Sequence, residues 1–141
     1  MSRTALIQAE LGGEDRDFRL AIGELMELEE KRDCGAAVVL ARLSLGQWLV
    51  RDVIVTIRLG LIGAGMDSAS ATRLVRTHVE QKAYDFGGEN GLVILAVKIL
   101  AASLHGAPDE PLGKAAGEIG NGSTISQTAK PDSATSSALA S

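Results

Sequence analysis

The sequence predicts a mainly helical α+β domain, in which an N-terminal β-hairpin packs on a bundle of about five helices and a disordered C-terminal tail follows. Three observations predict this class. Apolar residues alternate with polar ones near the N-terminus, they then recur at helical spacing, and large apolar residues become scarce after Gly106. A chain of 141 residues fits one such domain over residues 1–106 and a tail over residues 107–141.

The hairpin is predicted by two apolar runs on either side of a turn signal. Gly12 and Gly13 begin a turn cluster that ends at Asp15, and glycine readily supplies the positive φ that such turns need. A lone hairpin is marginally stable in water, so one of its faces must be packed. The alternating apolar residues are Ala5, Ile7, Ala9 and Leu11 before the turn, and Phe18, Leu20 and Ile22 after it.

Two short helices are predicted next, over residues 22–33 and 35–43. In both, apolar residues recur at the spacing of one helix face. Glu27 and Lys31 of the first helix can pair one turn apart. The expected stripes are Ile22, Leu25, Met26 and Glu29 with Leu28 beside them in the first helix, and Ala36, Val39, Leu40 and Leu43 in the second.

A longer third helix is predicted over residues 47–61. Ser44 and Gln47 have the spacing of a capping box. The glycine-rich residues 60–65 are expected to end this helix, because a phosphate-binding loop would need a preceding strand. Its stripe contains Trp48, Val53, Ile54, Ile57 and Leu61, of which we expect Trp48, Ile54 and Ile57 to anchor the core, while Arg51, Asp52 and Arg58 fall largely off the stripe.

Two further helices complete the bundle. One is expected over residues 68–82, with Asp67, Ser68 or Ser70 as its N-cap. The last, over residues 90–105, is apolar nearly all round, so it either lies in the middle of the bundle or contacts a partner. The candidate partner-binding residues on it are Val93, Val97, Lys98 and Leu104.

Composition argues against several classes of function. The net charge of −4 does not favour nucleic-acid binding, and one cysteine with two histidines leaves little material for a metal centre. The longest apolar stretch, residues 91–104, is too short to span a bilayer. We therefore expect a cytoplasmic, non-enzymatic protein without cofactor, metal, small-molecule substrate, nucleic acid or membrane partner.

The remaining reactive or charged side chains have structural interpretations that we favour. Cys34 has no second cysteine and is expected to be a reduced structural residue. The glutamates of the first helix are expected to form a solvated face. Four arginines, at positions 51, 58, 73 and 76, could form a basic strip, although isolated arginines on helices usually serve solvation.

The order of motifs resembles the gene-transfer-agent and siphophage tail assembly chaperone family, which is also described as a family of phage tail tube proteins. A hairpin leads into a Leu-x-Glu-Leu-Glu-like segment at Leu25–Glu29, an aliphatic helix follows, and a tryptophan-led helix begins with Trp48–Asp52 and ends in Gly60–Gly65. The resemblance covers about residues 4–106 and rests on short, mostly structural motifs.

The resemblance implies a tail assembly chaperone that binds the tape measure protein and the tail tube protein, with several copies associating along the tape measure. This role would place the protein in the host cytoplasm during particle assembly. One alternative is a structural tail tube or connector subunit, located in the virion tail. Another is a small helical adaptor or regulator unrelated to phage.

Overall fold

The fold is given by a computed structural model that describes residues 5–106, so the tail predicted over residues 107–141 lies outside the described residues. Within the described range the predicted architecture is confirmed: an antiparallel hairpin precedes five α-helices. A single 3-10 turn, Ala83–Asp85, lies between the last two helices. The elements are β1 (Ile7–Leu11), β2 (Glu14–Phe18), α1 (Ile22–Arg32), α2 (Ala36–Ser44), α3 (Val50–Gly63), α4 (Ser68–His78) and α5 (Leu92–His105).

The hairpin turn is tighter than the predicted cluster and contains only Gly12 and Gly13. Both have positive φ, +68° and +83°, as a two-residue hairpin loop demands. Gly12 also lies against the ring of His78 from α4, where a Cβ atom would approach the imidazole to 2.7 Å. Leu11 and Phe18 are buried, so the hairpin is packed on the bundle, as its marginal intrinsic stability requires.

Helix α3 lies at the centre of the domain and contacts α1, α4, α5 and β2. Helix α5 packs against α2, α3 and β1 on another side. The Ser103 hydroxyl of α5 donates a 2.6 Å hydrogen bond to the Leu20 carbonyl, which joins α5 to the segment between hairpin and α1. The largest fully buried side chains are Phe18, Leu20, Leu28, Ile57, Leu59, Leu61, Ile99 and Leu100.

The stripe predicted for α1 is wrong in detail. Leu28 is the fully buried residue of this helix and Leu25 is half-buried, whereas Ile22 and Met26 are 71% and 63% exposed. Leu25, Leu28 and Arg32 share one helical face, and the contact of Arg32 with α3 turns that face inward. Ile22 and Met26 are consequently left on the outside.

The start of α3 also differs from the prediction. Ser44 is the last residue of α2, so it does not cap α3, which begins at Val50. Instead, the carboxylate of Asp52 accepts a 2.8 Å hydrogen bond from the backbone N–H of Leu49. An acidic residue in the first turn satisfies a free backbone donor and suits the helix dipole.

The glycine-rich segment has a packing role that the prediction missed. Gly60 and Gly63 lie within α3, which continues to residue 63. The Arg19 N–H donates a 2.9 Å hydrogen bond to the Gly60 carbonyl. A Cβ atom at Gly63 would overlap the carbonyl oxygen of Arg19. The glycines therefore let the chain after β2 lie directly on α3.

The last two helices agree with prediction except at their ends. Helix α4 ends at His78, earlier than expected, and Asp67 caps it by accepting a 3.0 Å hydrogen bond from the Ser70 N–H. Helix α5 ends at His105, and Gly106 follows it with a φ of +94°, which suits glycine at a helix C-terminus. No helix among residues 5–106 has the length and apolar character needed to cross a membrane.

Candidate functional site

The candidate partner-binding residues on α5 have different environments. Val93 is buried, with 6% of its surface exposed, and Val97 and Leu104 are half-buried against the core. Lys98 is exposed. Ile94, which sequence reasoning did not single out, is 39% exposed and lies one turn before Lys98 on the same face. The outward face of α5 is therefore formed by Ile94 and Lys98 more than by the valines.

The three predicted anchors lie in or beside the core. Ile57 is fully buried, whereas Trp48 and Ile54 are half-buried. The Trp48 ring packs against Phe86 with 5.8 Å between ring centroids, in a tilted arrangement that aromatic pairs favour. Trp48 precedes α3 instead of lying within it. It therefore packs the chain before α3 against the loop before α5.

Exposed apolar side chains occur at both ends of the α1–α3 pair. At one end, Ile22 and Met26 lie on the outside of α1. At the other end, Leu45, Leu49 and Val50 surround the connection from α2 to α3 and are 70%, 52% and 55% exposed. Clustered exposed apolar side chains are typical of protein-binding surfaces.

Helices α1 and α3 run antiparallel. Arg32 at the end of α1 contacts Asp52 at the start of α3. Arg19, just before α1, contacts Gly60 near the end of α3. Helix α3 has 14 residues, so the distance between its ends is about 20 Å.

Charged residues of opposite sign flank these two apolar groups. Glu27 and Glu30 are exposed beside Met26 on α1. On α3, Arg51 is exposed and Arg58 half-buried, and they lie on the same face as Ile54. Neither arginine makes an ion pair with any of residues 5–106. The other two arginines of the basic strip considered from sequence, at positions 73 and 76, are exposed on α4. At least the two members of that strip on α3 are thus without an ion pair among residues 5–106.

A buried ionic cluster holds α1, α2 and α3 together. The carboxylate of Asp52 is fully buried and accepts hydrogen bonds from Arg32 at 2.8 Å and from Arg42 at 2.8 and 3.0 Å. Burial alone would raise the pKa of Asp52, but the hydrogen bonds from Arg42, the Leu49 N–H and Arg32 outweigh it and lower that pKa. The prediction that Asp52 lies off the buried face was wrong. Its N3 position in α3 was the available signal.

A polar cleft of about 370 Å³ lies between the hairpin turn, the end of α4 and the start of α5. His78 lies in its wall and its buried Nδ1 atom has no hydrogen-bond partner. No group of three or more His, Cys, Asp and Glu side chains among residues 5–106 is arranged to hold a metal ion. The polar residues that line this cleft include Glu10, His78, Lys82, Asp85 and Asn90.

The cysteine and the glutamates considered from sequence do not form a common site. Cys34 is a free, half-buried thiol between α1 and α2. Glu27 forms the expected contact with Lys31, at 3.7 Å, and Glu29 accepts a 2.8 Å hydrogen bond from the Ala36 N–H. The glutamates of α1 thus have separate local roles.

Comparison with known families gives a specific result. The sequence profile of a family described as "Phage tail tube protein, GTA-gp10" matches residues 4–106. No curated protein and no solved structure matches the chain. The matched segment includes all seven helices and strands, and therefore the apolar ends of the α1–α3 pair as well. The chain belongs to the phage tail tube protein family of gene transfer agents.

Proposed function

We propose that this protein is a non-enzymatic structural component of a phage-like tail, acting as a subunit of the tail tube or of its connector. The observation that carries the proposal is the family match over residues 4–106, whose description names the tail tube. This role favours the virion tail as the final location. It also favours partners among the other tail proteins, including the tail tube protein and further copies of the chain.

The surface of the domain supports a role in assembly. A tail subunit must contact neighbours on more than one side, and the α1–α3 pair presents apolar side chains at both of its ends. Ile22 and Met26 lie at one end, and Leu45, Leu49 and Val50 lie at the other. Exposed apolar groups of this kind supply the driving force for association, and the charges beside them supply orientation.

A tail assembly chaperone that binds the tape measure protein is a second candidate. It is favoured by the small amount of sheet, since β1 and β2 contain five residues each and tube rings are usually built from β-sheets closed across subunits. The tape measure protein is expected to be long and mostly helical. Exposed apolar helix faces can shield such a chain by helix-in-groove contacts. The family description favours the tube role over this one.

The adaptor or regulator unrelated to phage is the least supported alternative, because the family match points to tails. The absence of catalysis remains a proposal. It is supported by the separate structural roles of Cys34, Glu27 and Glu29. A chaperone would act in the cytoplasm of the host cell and leave before maturation, whereas a tube subunit would remain in the particle.

Co-expression with the tape measure and tail tube proteins of the same genome separates these roles. Assembled tails are purified away from soluble complexes, and the chain is detected in both fractions with an N-terminal tag. The tube role predicts the chain in assembled tails. Its presence only in soluble complexes with the tape measure protein would favour the chaperone, and binding to neither tail protein would contradict both.

A matched pair of variants links this result to the surface. Leu49→Asn changes an exposed residue at the connection from α2 to α3, which we call the α2–α3 end. Tyr84→Asn changes an 82% exposed residue in the 3-10 turn. We expect the first variant to lower incorporation into tails and the second to leave it unchanged. Equal incorporation of both would remove the α2–α3 end from the assembly surface.

A further inference from the structure

The outer edge of β2, on the side away from β1, is bonded to the bundle only where the strand ends. In an antiparallel pair, alternate residues direct their backbone N–H and C=O groups away from the partner strand. Counting from the residue pair that flanks the two-residue turn, these residues are Asp15, Asp17 and Arg19. The Arg19 N–H donates to the Gly60 carbonyl. The outward backbone groups of Asp15 and Asp17 have no hydrogen-bond partner within residues 5–106, so this part of the edge is open.

A groove of about 390 Å³ lies beside the open edge. One of its walls is formed by the hairpin and the other by the end of α3 with the residues that follow it. A strand that entered this groove could bond to the edge and direct alternate side chains to its two faces. The lining residues include Asp15, Arg16 and Asp17 on the hairpin side, and Leu61, Ala64 and Met66 on the α3 side.

The open edge is acidic. Asp15 and Asp17 are exposed and lie on the same face of the hairpin. The Gln8 side chain donates a 3.0 Å hydrogen bond to one carboxylate oxygen of Asp17, which keeps its charge. Among the described residues that line the groove, Arg16 is the one basic side chain, and it lies 3.3 Å from the carboxylate of Glu14. A partner with basic side chains therefore complements this edge.

We propose that the open edge of β2 binds an extended segment of another protein, in which basic residues alternate with apolar ones. The segment adds a third strand to the hairpin, and its backbone bonds to Asp15 and Asp17. Its basic side chains lie beside the two aspartates, because opposite charges on neighbouring strands attract. Its apolar side chains lie toward Met66. The inference goes beyond the proposed function, since it concerns a different surface from the apolar ends of the α1–α3 pair.

The other edge of the hairpin is less suited to a basic segment. By the same alternation, the outward backbone groups of β1 belong to Gln8 and Glu10. Helix α5 contacts β1, and Glu10 lines a cleft of about 180 Å³ together with Lys98 and Ile94 of that helix. Because a lysine is already present there, the charge of this edge is mixed. The acidic edge of β2 is therefore the selective one.

Charged side chains on an edge strand also have a simpler role, which is to prevent pairing with other strands. The two roles differ in the strands that they admit. Protection alone excludes every added strand, whereas the proposed site admits a basic segment and excludes an acidic one. Peptides that differ only in charge therefore distinguish them.

The test uses the full chain and a short synthetic peptide with blocked ends, in which lysine and valine alternate. We expect the peptide to slow hydrogen exchange at the amides of Asp15 and Asp17, measured by NMR, and to leave the amide of Glu10 unchanged. The same peptide with glutamate in place of lysine should not bind. Asp15→Asn/Asp17→Asn should weaken binding about tenfold, since two opposite-charge pairs between strands are lost. Glu30→Gln, which changes an exposed acidic residue on α1, should bind like the wild type.

Two N-methylated forms of the peptide separate strand addition from simple charge attraction. One form carries methyl groups on its lysine amides and the other on its valine amides, so each blocks the N–H groups on one side of the strand. We expect only one form to bind, because only one side of an added strand faces β2. Equal binding of both forms, or no binding of the unmethylated peptide, would overturn the proposal. Neither result bears on the proposed function, which incorporation of the chain into tails tests separately.

Discussion

Nε of Arg32 lies 2.8 Å from Oδ1 of Asp52, and this contact joins the last turn of α1 to the first turn of α3. The Asp52 side chain is fully buried and the Arg32 side chain is 10% exposed. Arg42 of α2 binds the same carboxylate, so one acidic group fixes three helices. The cluster therefore fixes how α1 and α2 lie against the start of α3.

Replacing the carboxylate should destabilise the domain. Asp52→Asn leaves Arg32 and Arg42 without their counter-ion, and such losses cost about 3–5 kcal/mol for a buried pair. Because Arg42 is 25% exposed and can be hydrated, we expect the lower end of that range. Urea unfolding measures this, with Glu30→Gln on the exposed side of α1 as a control that should change stability little. An unchanged midpoint for Asp52→Asn would show that the cluster contributes nothing.

The same carboxylate predicts a pH dependence of stability. The pKa of Asp52 is lower in the folded chain than its ordinary value of 3.8. The stabilisation is therefore fully present above that ordinary value and is lost as the pH falls through the folded pKa. Unfolding free energy should drop on acidification below about pH 4. Asp52→Asn should reduce this drop, and an identical pH profile for the variant would contradict the assignment.

Gly63→Ala should disrupt the contact between α3 and the chain that follows the hairpin. The added Cβ would overlap the Arg19 carbonyl, and a backbone atom cannot move aside as a side chain can. We expect a loss at or above the upper end of about 1–3 kcal/mol, measured by thermal unfolding. Gly87→Ala is the matched control, because nothing lies within 4 Å of a Cβ at that position. Equal melting temperatures would show that the close approach is absent.

Trp48→Ala should remove the contact between the chain before α3 and Phe86. Truncation of a buried aromatic residue costs about 3–5 kcal/mol, and half-burial of Trp48 places the expected loss at or below the lower end. Tyr84→Ala changes an aromatic residue that is 82% exposed and should shift stability by no more than about 0.5 kcal/mol. A Trp48→Ala midpoint equal to that of wild type would move the indole from the core to the partner surface.

Glutamate substitutions on α5 separate its core side from its outward side. Val93→Glu places an unpaired charge at a buried position and should unfold the domain. Ile94→Glu changes the neighbouring exposed residue and should leave the circular dichroism spectrum unchanged. If α5 contacts a tail partner, Ile94→Glu should reduce co-purification with that partner. Unreduced binding by the folded variant would exclude this face.

Most of the fold follows from periodicity along the chain. Residues at helical spacing in α2, such as Val39 and Leu43, are buried as predicted, and the strands flank their two glycines as predicted. The errors arise where a long-range contact decides the outcome. Arg32 contacts Asp52, which lies 20 residues further along the chain, and this contact places the Arg32 side of α1 against α3. The buried stripe predicted for α1 was misplaced for that reason. No local pattern contains that information.

The surfaces were harder to predict than the core. Met26 and Ile22 have the spacing of a buried stripe, and only the packing of α1 on α3 shows that they are exposed. The role of Gly63 depends on the Arg19 carbonyl, which is distant in sequence. The signal that sequence did contain was the resemblance to tail proteins. The family match confirms it at the level of phage tails, and the description of that family favours the tube alternative over the chaperone.

The copy number of this chain in purified tails tests the central claim most directly. Isotope-dilution mass spectrometry of assembled tails would measure its amount relative to the tape measure protein. A structural tail subunit predicts a fixed ratio that is the same in independent preparations and that falls when Leu49→Asn replaces the wild-type chain. Absence of the chain from tails that assemble with its help would contradict a structural role in the tail.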